Sequence, residues 1–154
     1  RVDRRQRQMC IRDRNQIFAI ALASSYSTKN QDLVNYIIEL AANNLSEAEI
    51  EAAKAASTVM AMNNIYYRFV HLVSDKEYGS MPAKLRMNII ANPGIDKIDF
   101  ELYALAVSAI NGCGLCIDSH VKQLSNSGID KGTIQHTIKI AAVINAVAAA
   151  LFIN

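Results

Sequence analysis

Apolar residues recur every three or four positions along most of this chain, and no run alternates apolar with polar residues at period two between turns. The pattern predicts an all-α protein. Residues 31–43 bring Leu33, Ile37, Leu40 and Ala41 onto one helical face. Ser46-Glu47-Ala48-Glu49 is a capping box, in which the serine and the second glutamate each satisfy an orphan amide, so a helix opens there. It extends to about Leu72. Ala52, Ala53, Ala55 and Ala56 permit close approach of neighbours, and Val59, Met60, Met62, Ile65, Tyr66, Phe69 and Val70 fill space.

Breaks then set the order of the remaining elements. Gly79 and Pro82 precede a short helix expected over residues 83–90, and Asn92-Pro93-Gly94 is a strong turn. Asp96 or Asp99 can cap a helix running to about Ile110, which Asn111-Gly112 interrupts. A further helix over residues 113–127 ends at Gly128, a natural left-handed C-cap, and Asp130 caps a last helix reaching nearly to the C-terminus. At the other end, residues 15–24 read as the remnant of a first helix, closed by the polar stretch 24–30. No repeat, linker or second domain is visible.

The chain has 154 residues, a single-domain length with room for one core. Its first fourteen residues differ from the rest, with six Arg, two Asp and few apolar positions. Met9-Cys10-Ile11-Arg12-Asp13 resembles the translation of a transposase-end sequencing adaptor. Residues 1–14 are therefore read as a non-native, disordered tail, and residues 15–154 as the helical domain. The competing readings are a disordered basic arm and an arm that binds nucleic acid. Setting the tail aside leaves ten Lys and Arg against twelve Asp and Glu, so the formal charge moves from +2 to −2. The apparent basicity belongs to the tail, and no nucleic-acid partner is expected.

Residues 17–23 are too short an apolar run, without a convincing cleavage site, to read as an export signal. Residues 140–153 are strongly apolar, but they are fewer than the roughly 18 to 20 needed to cross a bilayer and include Asn145. A buried helix is expected there, with no membrane partner.

With the tail excluded, Cys113 and Cys116 are the remaining cysteines, in Asn111-Gly112-Cys113-Gly114-Leu115-Cys116-Ile117-Asp118-Ser119-His120. One CxxC in a cysteine-poor domain suits a reducing cytosol. A cysteine at a helix N-terminus sits in the positive end of the dipole, which favours thiolate, and residues three apart in the first turn can close a disulfide with little backbone change. His120 lies one turn beyond Cys116 and can take its proton, which favours Cys116 as the thiolate. Glu101, near the start of a mostly apolar helix, needs a partner if it points inward, and His120 is the obvious one. A solvated helix face is the competing reading for Glu101. Metal binding by Cys113, Cys116 and His120 would lack a fourth ligand from a second CxxC or paired histidines, so redox chemistry is preferred. His71 and His136 lack such company and are expected at the surface or core edge.

The intervening Gly114-Leu115 in an all-helical context excludes thioredoxin. Leu85-Arg86-Met87-Asn88-Ile89-Ile90-Ala91-Asn92-Pro93-Gly94-Ile95, Phe100-Glu101-Leu102 and Ala106-Val107-Ser108-Ala109-Ile110-Asn111-Gly112-Cys113 resemble the alkyl hydroperoxidase D (AhpD) family. Met60-Ala61-Met62-Asn63-Asn64-Ile65-Tyr66-Tyr67-Arg68 resembles that family's middle helix. The wider carboxymuconolactone decarboxylase superfamily shares the helical fold. The resemblance implies a homotrimeric enzyme that reduces organic hydroperoxides and regenerates an AhpC-type peroxiredoxin, with electrons from dihydrolipoamide on a lipoylated protein and no bound cofactor or metal. It further implies Cys116 as the oxidised thiolate, Cys113 as the resolving thiol, and Glu101 and His120 as proton relay. One departure stands out: Leu115 occupies a position where the family often has histidine, which bears on thiolate formation and donor choice. The competing functions are a non-peroxidatic redox adaptor and a carboxymuconolactone decarboxylase-like enzyme.

Overall fold

The computed structural model describes the backbone from residue 4 and the side chains from residue 14 to the C-terminus. The reading of residues 1–14 as a tail falls largely outside the described side chains. Among the described residues there are seven α-helices and no strands: α1 (Arg4–Thr28), α2 (Gln31–Ala41), α3 (Glu47–Leu72), α4 (Asn88–Ala91), α5 (Lys97–Asn111), α6 (Gly114–Asn126) and α7 (Lys131–Ile153). A single 3-10 turn, Lys76–Ser80, follows α3.

The helix α5 forms the centre, packed against α1, α3, α6 and α7. Its sequence explains this, since Phe100, Leu102, Tyr103, Ala104, Leu105, Ala106, Val107 and Ser108 are all buried, and a helix apolar around its circumference must be enclosed on every side. Truncating Leu105 to Ala there would cost about 2–5 kcal/mol through lost burial and a cavity. Ala52, Ala53 and Ala56 of α3 and Ala19 and Ala23 of α1 are likewise buried, and α1 and α3 pack together. Glu101 is the only charged residue in the buried run 100–108.

Helix starts follow the expected caps. Ser46 accepts from Glu49 N–H while the Glu49 carboxylate accepts from Ser46 N–H. Asp96 accepts from Ile98 N–H and Asp130 from Thr133 N–H.

Four expectations require correction. First, α1 does not stop at Ser24, because Ser24, Ser25 and Thr28 turn their hydroxyls back onto the carbonyls of Ile20, Leu22 and Ser25, satisfying themselves inside the helix. The break comes at Lys29, whose φ is +60°. Second, residues 83–90 are not one helix, since Lys84 has a φ of +52° and only Asn88–Ala91 is helical. Third, Leu40, Ile65 and Phe69 are exposed, and Val34 takes the place on the buried face of α2 that Leu40 was expected to fill. Fourth, α7 is 23 residues long and apolar enough to cross a membrane by length and composition, so its length does not exclude a span. Nor is it fully buried: Ile134, Thr137, Ala141 and Ile144 form its covered stripe, while Val143, Val147, Leu151, Phe152 and Ile153 are exposed.

Candidate active site

The α5 to α6 corner holds the cysteines. Gly112 closes α5 in the left-handed region at φ +70°, which carries no Cβ penalty for glycine, and reverses the chain so that Cys113 becomes the N-cap of α6. The Cys113 sulfur accepts from Cys116 N–H at 3.2 Å, filling the role that a serine oxygen plays in an ordinary cap. Cys113 and Cys116 are joined by a disulfide, their Cα atoms 5.3 Å apart. The first turn of α6 thus needs little rearrangement to exchange dithiol for disulfide.

The corner is tied down from behind by a polar chain. Asn64 on α3 donates to Ser108 Oγ at 2.9 Å and accepts from Asn111 Nδ2 at 3.0 Å. Arg68, one turn further along α3, donates to the Asn111 carbonyl at 2.7 Å. This satisfies groups at the C-terminal end of α5 where backbone carbonyls run out of helical partners. Sequence reasoning gave these residues no role; two asparagines and an arginine within the otherwise largely apolar stretch 59–70 were the available signal.

Glu101 and His120 meet across the α5/α6 interface, with Glu101 Oε2 and His120 Nδ1 2.7 Å apart. Both are largely shielded, their side chains 21% and 11% exposed. With Nδ1–H donating to the carboxylate, the other ring nitrogen, Nε2, is left to exchange protons. The expected pairing of Glu101 with His120 is therefore present.

A cavity of about 620 Å³ joins these groups. Cys116, Glu101 and His120 line it together with Asn63, Tyr67 and the apolar wall of Met60, Met87, Ile90 and Leu115. Of the two cysteines only Cys116 reaches it, and Cys113 is completely buried. The sulfur of Cys116 also lies 3.9 Å from the main-chain oxygen of Asn63. The two cysteines thus differ in their access to the cavity. Such a cavity can present a nucleophilic sulfur and a proton-exchanging imidazole to a molecule with an apolar body.

His71 is exposed, as expected, and its ring lies against Gly114, where a Cβ would come 3.4 Å from Cε1 and 3.5 Å from Nδ1. An imidazole thus borders the turn between the cysteines from α3, while Leu115 lines the cavity. His136 is exposed on α7, as expected.

Residues 76–153 match the carboxymuconolactone decarboxylase family model. A Coxiella burnetii (strain RSA 493 / Nine Mile phase I) protein named alkyl hydroperoxide reductase AhpD is 62% identical over 133 residues, covering 86% of this chain and 75% of that protein. Proteins of the same name are 52% identical over 134 residues in Rhodopseudomonas palustris (strain BisB18), covering 87% and 74%, and 53% identical over 134 residues in Beijerinckia indica, with the same coverage.

Proposed function

The chain belongs to the AhpD family of alkyl hydroperoxide reductases, within the carboxymuconolactone decarboxylase family, and from that premise we propose that it reduces organic hydroperoxides with the Cys113/Cys116 dithiol. The observation that carries this reading is a cavity lined by both Cys116 and the Glu101–His120 pair.

In the reduced protein, His120 takes the thiol proton of Cys116, and the positive end of the α6 dipole favours the thiolate. The thiolate attacks the distal oxygen of the hydroperoxide. A sulfur–oxygen bond forms, the oxygen–oxygen bond breaks, and the alkoxide leaves as alcohol with the proton held on His120. Sulfur is oxidised to sulfenic acid as the peroxide is reduced. The Cys113 thiol then attacks the Cys116 sulfur and expels water, giving the disulfide. Glu101 orients the imidazole and balances its charge while it carries the proton.

An external dithiol must return two electrons through thiol–disulfide exchange. Dihydrolipoamide on a lipoylated protein is the proposed donor, and an AhpC-type peroxiredoxin the proposed partner whose disulfide the dithiol reduces in turn. A cytosolic setting supplies both. A homotrimer belongs to the same proposal, supported by exposed Phe69 and Leu72 on α3 and Val143 and Val147 on α7, since exposed apolar side chains of this size favour cover by protein.

The test is a coupled assay with an alkyl hydroperoxide, dihydrolipoamide and an oxidised peroxiredoxin, comparing the wild type with Cys113→Ser, Cys116→Ser and His120→Gln. Hydroperoxide consumption lost with Cys116→Ser supports the reading. Unchanged turnover in that variant would sink it, and peroxiredoxin reduction without any hydroperoxide consumption would identify a redox adaptor instead.

A further inference from the structure

The two residues between the cysteines meet different surroundings. Gly114 lies against the His71 ring of α3, where a Cβ would already stand 3.4 Å from Cε1, while Leu115 lines the cavity together with Cys116. Leu115 is therefore the one side chain that the CxxC turn itself offers to a bound molecule besides sulfur. It is 39% exposed, whereas Met60 in the same wall is 2% exposed and Met87 and Ile90 are half-buried. A leucine exposed on a convex surface is ordinary. This one stands in a concave wall one residue before the reactive sulfur, and apolar surface left open inside a cavity is what the apolar part of a ligand removes from water.

The remaining lining separates what all hydroperoxides share from what distinguishes them. Cys116 and the Glu101–His120 pair act on the peroxide end, which is common to every substrate. Discrimination must come from the organic body, and a cavity of about 620 Å³ has room for one. Asp118 and Lys122, both exposed, bring one charge of each sign to the lining, so neither an anionic nor a cationic body is favoured. The surface that remains for the body is Leu115 with Met87 and Ile90.

We propose that Leu115 is the specificity-determining residue of this site: its side chain takes the neutral, apolar body of the hydroperoxide, so that bulky aryl or branched-alkyl hydroperoxides react in preference to small ones. This rests on the peroxidase reading above and names the residue that selects among its substrates. Leu115 takes no part in the bond changes, which stay those of the oxidation step. Its contribution is binding energy from a part of the substrate remote from the reacting oxygens, so it acts on substrate affinity. Because Leu115 is bonded to Cys116 through the backbone, a body seated on it also keeps the peroxide end near the sulfur.

Three substitutions test this. Leu115→Ala removes the contact, Leu115→Asn replaces it with a polar group of similar size, and Leu115→Met keeps an apolar side chain of nearly the same volume. The readout is single-turnover oxidation of the reduced protein by cumene hydroperoxide and by hydrogen peroxide, which has no organic body. The ratio of the two second-order rate constants should fall about fivefold to fiftyfold in Leu115→Ala and Leu115→Asn, the range for a few lost methylene contacts, and stay within about twofold of wild type in Leu115→Met. The loss should lie in the concentration of cumene hydroperoxide needed for half-saturation rather than in the limiting rate. An unchanged ratio in Leu115→Ala, or a loss in Leu115→Met as large as in Leu115→Asn, overturns the assignment. A second measurement needs only wild type: cumyl alcohol should protect reduced Cys116 from iodoacetamide at a concentration at least about tenfold lower than tert-butyl alcohol. Equal protection by the two also overturns it. If the wild type reacts with neither peroxide, the peroxidase reading fails first. A wild type that reacts, with a Leu115→Ala variant that keeps its ratio, removes only the role of Leu115.

Discussion

Glu101 Oε2 and His120 Nδ1 lie 2.7 Å apart across the interface of α5 and α6, and this contact links the most enclosed helix of the protein to the helix that carries the cysteines. Glu101 occupies an intermediate position in a run whose other members are buried, so its carboxylate has the cavity edge and His120 as its outlets. The pair fixes the imidazole as a donor through one nitrogen and leaves the other for chemistry.

Glu101→Gln tests that linkage. Glutamine keeps the length and a carbonyl acceptor but removes the charge that balances a protonated imidazole. Hydroperoxide turnover should fall on the order of 100-fold, at the lower end for general acid–base groups, with little change in melting temperature. Steady-state rates and a thermal melt on the same sample decide it. A large drop in stability at equal activity would make Glu101 a structural residue.

The two cysteines should fail differently. Cys113→Ser leaves Cys116 able to react once with a hydroperoxide, and the sulfenic acid then has no resolving thiol. A sulfenic-acid trapping reagent followed by peptide mass spectrometry should find the adduct on Cys116. Cys116→Ser should give no adduct on Cys113, which is completely buried and does not line the cavity. Labelling of Cys113 in that variant would reverse the assigned order.

Much of this arrangement was legible in the sequence where the signal is local. The caps at Ser46, Asp96 and Asp130 lie where the pattern placed them because a cap depends on a side chain and an amide two or three residues away. The Cys113/Cys116 bond is local in the same way. What was not legible depends on which face a neighbour covers. Helical spacing groups Ile65 and Phe69 with the other apolar residues of α3, but it does not say that both stay exposed. Similarly, nothing in the order Asn63-Asn64 tells which carboxamide bonds Met87 and which bonds Ser108. The contact of His71 with Gly114 joins two helices distant in sequence, and Leu115 drew attention to a missing histidine without revealing the one across the turn.

Asp130 gives a pH dependence. Its carboxyl is held below the ordinary range, first by the backbone N–H of Thr133 and then by the Thr133 side chain. A depressed folded-state pKa contributes stability that is present above the unfolded value, about 3.9, and is lost as pH falls through the folded value. Asp130→Asn retains a capping oxygen without the charge. The difference in stability between wild type and this variant should be constant above about pH 5 and shrink steadily below pH 4. Urea titrations across that range measure it, and a difference that grows toward acid would contradict the assigned direction.

The link between stability and chemistry is sharpest at Asn64, which has no contact with the cavity yet supports the corner from which the cysteines project. Asn64→Ala strips Ser108 Oγ of its donor and leaves Asn111 Nδ2 without its acceptor, one of them fully buried. An unsatisfied buried group costs about 1–3 kcal/mol, so the variant should lose roughly 2 kcal/mol in urea unfolding. Ser108→Ala removes the other end of the same bond, and the double variant should lose less than the sum of the singles, because Ser108 is no longer there to be orphaned. Strict additivity would mean that the Asn64–Ser108 bond contributes nothing of its own. The chemical consequence is separate from the thermodynamic one. Arg68 still holds the Asn111 carbonyl in the single variant, so the reduced protein should keep a hydroperoxide reaction within about tenfold of wild type at temperatures well below its melt. Loss of reaction in a still-folded Asn64→Ala protein would show instead that the position of the Cys113 turn is set by Asn64 rather than by Arg68.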